Sequence, residues 1–215
     1  MSEHQGGLDF WRKQLAAVSL PVLSPAAARE ALLQPGACLQ ELTPLFNADL
    51  PLALDVLLLA AQHPRIRGEV QGLQHAFTVL GTGKVQALAS TRFQHAFNPD
   101  QVAHRLCLQS LATSRFAAQL VESWEQRHAG SHVEHLWWIT LLLGLARWKL
   151  PLAAPRIALE IERRCGAGER RTVVERAVLG CSIDQLNAAH LRDAGFPDDA
   201  RLLQSIALEG PVLAV

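Results

Sequence analysis

The sequence predicts an all-α protein made of many short helices, and three observations carry that prediction. Apolar residues recur at three- to five-residue spacing along most of the chain, and no stretch shows the period of two that a half-buried strand requires. Helix starts and stops, with Asp or Ser before proline and glycine after the last turn, punctuate the chain. Leu and Ala abound while charged residues make up only 19%, below the usual quarter, as large buried helix faces demand.

The elements follow in order. Residues Asp9–Val18 form a first helix. LPVLSP, from Leu20, is extended because two prolines restrict the backbone around it. Ser24 caps a helix that has Pro25 at its first position, runs to Leu33 and stops at Gln34-Pro35-Gly36. Leu39–Phe46 is a short helix. Asp49 caps the next, with Pro51 in its first turn and LALDVLLLAAQ after it. A turn in HPRIRGE leads to VQGLQHAFTVL, which ends at Gly81-Thr82-Gly83, and KVQALASTRFQHAF follows.

Asn98-Pro99-Asp100 is a break and marks a subdomain boundary. A long helix then covers about Pro99–Arg127. Val102, Leu106, Leu111, Phe116, Leu120 and Trp124 read as its single buried stripe. His128–Ser131 is a turn, and LWWITLLLGLA (Leu136–Ala146) lies in the next helix, reaching about Leu150. Pro151 and Pro155 interrupt the chain. Helices at Ala154–Cys165, Arg171–Leu179, Ile183–Ala194 and Asp198–Leu208 complete it, the last two divided by Ala194-Gly195-Phe196-Pro197.

Composition excludes several functions. Lys plus Arg equals Asp plus Glu, 20 against 20, so no net field draws the chain to nucleic acid or an anionic membrane. LWWITLLLGLA has eleven uncharged residues before Arg147; a span needs roughly 20, so the segment is a core helix. The N-terminus lacks the pattern of a signal peptide, which predicts a cytoplasmic protein. Cys38, Cys107, Cys165 and Cys181 are too widely spaced for a Cys-x-x-Cys unit and read as buried free thiols.

Three clusters of residues invite a chemical reading. His128, His132 and His135 could share a helical face and a zinc ion, although a solvated helix start fits them better. GTGK (Gly81–Lys84) looks like a phosphate loop, but Val85 follows the lysine and a helix precedes it, so it is a helix–helix turn. Arg163, Arg164, Arg170 and Arg171 offer guanidinium forks for a small anion or an acidic partner, against neighbouring Glu160, Glu162, Glu169 and Glu175, which could pair with them along wet helix faces. No catalytic residues, metal ligands or cofactor follow from these spacings.

Taken together, several stretches resemble the HDOD domain, a non-hydrolytic relative of the HD-type metal-dependent phosphohydrolases. LPVLSP resembles the family's Leu-Pro opening. DLPLALDVLLLAAQ matches its Asp-Pro-x-Leu helix at Asp49, Leu52, Leu59 and Ala60, with Leu50 in place of the proline and Ala61-Gln62 in place of Asn-Ser. VQGLQHAFTVLG matches at Val70, Leu73, Ala76, Leu80 and Gly81. Glu175 and Gly180 fit a later block, where Ile183 stands near an expected histidine and AGFP replaces Trp-x-Leu-Pro. In the HD enzymes one histidine sits early in the long helix and a His-Asp pair in the following apolar helix. Gln109 falls at the first position and Leu143-Gly144 at the pair. Neither Leu nor Gly has a side chain that ligates a cation.

The resemblance implies an HD-like multi-helix bundle. Residues 1–19 would be an N-terminal extension and 20–210 one HDOD-like domain, divided into an N-terminal helical subdomain (20–97) and a degenerate HD-like subdomain (98–210). It implies no enzyme, with the metal pocket plugged by hydrocarbon, and a scaffold that contacts protein partners in bacterial signal transduction. The alternative is an HD-type phosphohydrolase acting on nucleotides or cyclic dinucleotides through displaced ligands, for which His128, His132, His135, Asp184 and His190 are the candidates.

Overall fold

A computed structural model describes residues 6–24, 26, 39–64, 70–92, 95–127, 133–196 and 201. Most of the length of the helices expected at Ser24–Leu33 and Asp198–Leu208, together with His128, His132 and Cys38, lies outside the described residues. Described residues outside turns and connections are helical, the one β contact being an isolated parallel bridge between Val22 and Ala96. The helices are α1 Leu8–Ala16, α2 Leu39–Ala48, α3 Leu50–Ala61, α4 Leu73–Arg92, α5 Val102–Arg127, α6 Val133–Leu142, α7 Leu145–Ala153, α8 Pro155–Gly166, α9 Arg171–Leu179 and α10 Ile183–Ala194. They form two compact units.

The first unit takes the described residues of 19–99 with 194–196. Asp49 organises it. Its Oδ1 accepts from Leu52 N at 3.3 Å, capping α3, and its Oδ2 accepts from Leu23 N and Ser24 N, each at 2.8 Å. One carboxylate thus ties the extended LPVLSP segment to a helix start. Pro51 falls in the first turn, where a missing N–H costs nothing. On its other side LPVLSP forms the bridge through Val22 N to His95 O and Phe97 N to Val22 O, both 2.8 Å. Arg92 is buried, donates to Leu20 O at 2.7 Å and pairs with Asp55. Leu52, Val56, Leu57, Leu73 and Val85 fill the core, where Phe46 meets Phe77 edge-on at 5.1 Å. Gly81 takes φ 74° and ψ 160°, so α4 is two helical segments meeting at the glycine predicted to end the first. No single helix among the described residues is long and apolar enough to cross a membrane; α2 and α3 reach the length only jointly, and they bend by 109° at Asp49.

The second unit takes residues 6–18 with the described part of 100–193. Trp11 and Leu15 of α1 pack with Leu150, Ile161, Leu179 and Leu186. The Trp11 indole N–H donates to Leu179 O at 3.0 Å, which satisfies the one polar atom of a buried ring. Pro155 opens α8 at its first turn, as expected, but Pro151 sits inside α7 without ending it.

Two expectations fail here. Phe116, Leu120 and Trp124 are not buried: they are 63%, 56% and 59% exposed, and Val102 is 41% exposed. The buried stripe of α5 is Cys107, Leu111 and Ala118. Phe116 follows Cys107 by about two and a half turns, which places it on the opposite side of the helix. A run of apolar residues four apart does face one way, but the sequence does not say that the core is on that side. The apolar helix also breaks, into α6 and α7, at Leu143-Gly144. Asn187 of α10 holds the break: its Oδ1 accepts from Ala146 N at 2.7 Å, and its Nδ2 donates to Leu142 O and Leu143 O at 3.0 and 3.1 Å. Backbone groups freed by the break are thereby satisfied inside the core.

Candidate functional site

The break places Leu143 and Gly144 on the wall of a cleft rather than in packed core. Gln109, Thr113 and Ser114 of α5 face it from one side, Ile161, Glu162 and Arg171 of α8 and α9 from another, and Asp184 of α10 closes it. Its volume is about 510 Å³. The three positions laid on the metal-ligand pattern, Gln109, Leu143 and Gly144, are thus brought together, but the hydrocarbon plug expected there is absent. Ser110, Thr113 and Ser114 give the α5 wall a row of hydroxyls.

Gly144 has a local structural cause. Trp148 is buried, and its indole N–H donates to Ser114 Oγ at 2.9 Å directly over the glycine. A Cβ on residue 144 would run into Ser114 Oγ and stand 2.7 Å from Trp148 Nε1. The backbone there is right-handed helical (φ −93°, ψ −6°), so glycine is required by space and not by conformation.

Four charged side chains line the cleft. Arg171 clasps Glu162 with two hydrogen bonds of 2.8 and 2.9 Å, and that partner holds the Glu162 carboxyl below its ordinary range. Arg147 comes no closer to a carboxylate than 4.0 Å, at Glu175 Oε1. Glu175 is almost fully buried; its Oε2 accepts from Ile183 N at 2.9 Å, while Oε1 has no hydrogen-bond partner. Burial raises its pKa, against the lowering pull of the Ile183 N–H and Arg147.

The remaining candidates are dispersed. Arg163 is bidentate to Glu160 at 2.8 Å, Arg164 is bidentate to Glu169, and Arg170 is an exposed N-cap residue of α9, so of the four arginines Arg171 alone reaches the cleft. His190 is buried away from the cleft lining, with its Nε2 3.1 Å from Lys149 Nζ, which also donates to Leu15 O at 3.2 Å. Burial, then the neighbouring ammonium, pushes the His190 pKa down to about 4. His135 is half-buried on α6. Among the described residues no three His, Cys, Asp or Glu side chains converge as a metal site would need. Cys107 and Cys181 are buried thiols and Cys165 is half-buried; burial pushes Cys107 up to about 12, far from thiolate chemistry. Sequence reasoning missed Asn187, Ser114, Trp148 and Arg147. The contacts of the first three span 34 to 45 residues, and no local pattern encodes them.

The described residues define an all-α protein, and its HD-like fold follows from the family it matches. The HDOD domain family matches residues 20–207, and the chain belongs to it. No curated protein is detectably similar in sequence. Among solved structures, one named "Putative phosphohydrolase from Shewanella amazonensis SB2B" is 14% identical, with a TM-score of 0.43 over 94% of this chain and 72% of that one.

Proposed function

We propose that this HDOD protein is a non-catalytic signalling scaffold of bacterial type, which acts by binding a protein partner and not by turnover. The observation that carries the reading is the closure over Gly144. The Trp148–Ser114 hydrogen bond occupies the space that an aspartate ligand would need, while Gln109 and Leu143 stand at the companion positions. A hydrolase of this fold binds its cation through those residues, and neither Leu nor Gly donates to a metal. Nothing in the surroundings of His135, Asp184 or His190 favours the displaced-ligand hydrolase.

The binding surface is the outward face of α5. Phe116, Leu120 and Trp124 recur four apart and are each more than half exposed. An aromatic–aliphatic–aromatic row on one helix face supplies the anchors that dominate protein interfaces. Two measurements test the proposal. Purified protein given Mn²⁺ and bis(p-nitrophenyl) phosphate should release no nitrophenol; turnover abolished by EDTA overturns the reading. A photo-crosslinking residue at position 120 should yield one discrete adduct in cells, lost when Phe116 and Trp124 are changed to serine. An adduct pattern unchanged by those substitutions removes α5 as the binding face.

A further inference from the structure

The charges around the cleft are not equally committed. Arg171 and Glu162 satisfy each other. Arg147 and Asp184 are opposite in sign and line the same cleft, and neither makes a hydrogen bond with the described residues; Arg147 approaches Glu175 only to 4.0 Å and acts on Glu162 from farther off, and Asp184 makes no ion pair among the described residues. Of the rest of the wall, Gln109, Thr113 and Ser114 make one side polar while Leu143, Ile161 and Ile183 make another aliphatic, and among the described residues no aromatic ring lines it. Two guanidiniums against two carboxylates leave no positive excess for a polyanion, and a nucleobase has no ring to stack on. A guanidinium fork does fit a single carboxylate, and a free carboxylate fits an ammonium group.

We infer that the cleft binds an aliphatic zwitterion of amino-acid to dipeptide size, its carboxylate on Arg147, its ammonium on Asp184 and its hydrocarbon on the leucine and isoleucine wall. The volume of about 510 Å³ lies in the range of small-molecule pockets and accommodates more than one residue. The inference rests on the non-catalytic reading of the same cleft and adds to it a small-molecule input.

Calorimetry on the full chain with L-leucine and with L-leucyl-L-leucine tests it. At least one should bind one-to-one and raise Tm, as any ligand of the folded state does. N-acetyl-leucinamide, which lacks both charges, should bind at least tenfold more weakly. Arg147→Gln and Asp184→Asn should each weaken the zwitterion at least tenfold while keeping the helical circular dichroism of the parent. Asp184→Asn should leave binding of N-acetyl-leucine, which has no ammonium, unchanged. No binding of either probe, equal binding of the uncharged amide, or a folded Asp184→Asn protein that binds as before overturns the inference. Silence in this experiment leaves the non-catalytic reading standing, whereas EDTA-sensitive phosphoester cleavage sinks both.

Discussion

Asp49 and Glu175 are carboxylates with almost no solvent contact, 0% and 2% exposed, each in its own unit of the molecule. Asp49 spends both oxygens, accepting three backbone N–H groups from two segments. Glu175 spends one, on Ile183 N, and leaves the other without a partner while Arg147 stands 4.0 Å off. Burial raises the pKa of both. The difference is in what accompanies the burial. Asp49 holds a chain crossing together, as a saturated acceptor does. Glu175 keeps uncompensated acceptor capacity beside an open cleft, the arrangement found where a site is kept at the expense of stability.

The largest expected effect breaks the first half of this contrast. Asp49→Ala removes a helix cap and frees the partly buried N–H of Leu23 and the exposed N–H of Ser24, a loss of about 3 kcal/mol on ordinary costs for a cap and for weakened donors. Urea unfolding measures it. Asp49→Asn keeps an acceptor and should recover part of the loss; full stability in the alanine variant would mean that the three bonds carry little.

Asn187→Ala comes next. Asn187 is a second saturated buried polar group, and its removal leaves Ala146 N and the carbonyls of Leu142 and Leu143 without partners. A loss of about 2–3 kcal/mol follows. The signature is local: hydrogen exchange should accelerate at Ala146 and the first turn of α7 more than elsewhere. Uniform acceleration would show that Asn187 supports the core generally and not the break.

Asp49 and Asn187 also measure what the sequence reveals. The cap at Asp49 was legible because its signal is local: an Asp, a proline two residues on and an apolar helix behind it. Most helix limits were legible for the same reason, and α9 and α10 fall where the spacing predicts. The break at Leu143-Gly144 was not, because the residue that stabilises it lies more than forty positions away. The exposed face of α5 was misassigned because periodicity fixes which residues share a face, not which face meets the core. At the cleft, the positions Gln109, Leu143 and Gly144 could be named from the family pattern. Its openness could not, since that depends on the break between α6 and α7, which Asn187 holds from α10.

A pH series separates the two carboxylates from the buried His190. The pKa of His190 in the folded chain, about 4, lies below its ordinary 6.5, so the unfolded chain binds the proton first as pH falls. Stability should therefore drop by about 2–3 kcal/mol between pH 6.5 and 4. A carboxyl raised by burial acts in the opposite sense: the native state holds its proton more tightly, and stability falls as pH climbs through the folded pKa. His190→Gln keeps an acceptor for Lys149 and removes the histidine's contribution. Above about pH 5, where the arginine-paired Glu160, Glu162 and Glu169 are charged in both folded and unfolded chains, the carboxylate contribution to the slope that remains comes from Asp49 and Glu175 and should be negative with rising pH. A positive slope in that variant would mean that the backbone bonds outweigh burial at these carboxyls.

The smallest effect is the sharpest test of the contrast. Glu175→Gln retains an oxygen for Ile183 N and discards a buried charge whose second oxygen has no partner. What it gives up is the pull of Arg147, weak at 4.0 Å and with that guanidinium 42% exposed. At pH 7 the variant should match the parent or exceed it by up to about 1 kcal/mol, and its stability should vary less with pH. Glu175→Ala, which also strands the Ile183 N–H, should lose about 2 kcal/mol, so the two substitutions separate the hydrogen bond from the charge. A glutamine variant less stable than the parent by more than about 1 kcal/mol would mean that the Arg147 pair is as saturated as Asp49 is. In that case Arg147 is no longer available to a ligand, and the two buried carboxylates serve the same purpose.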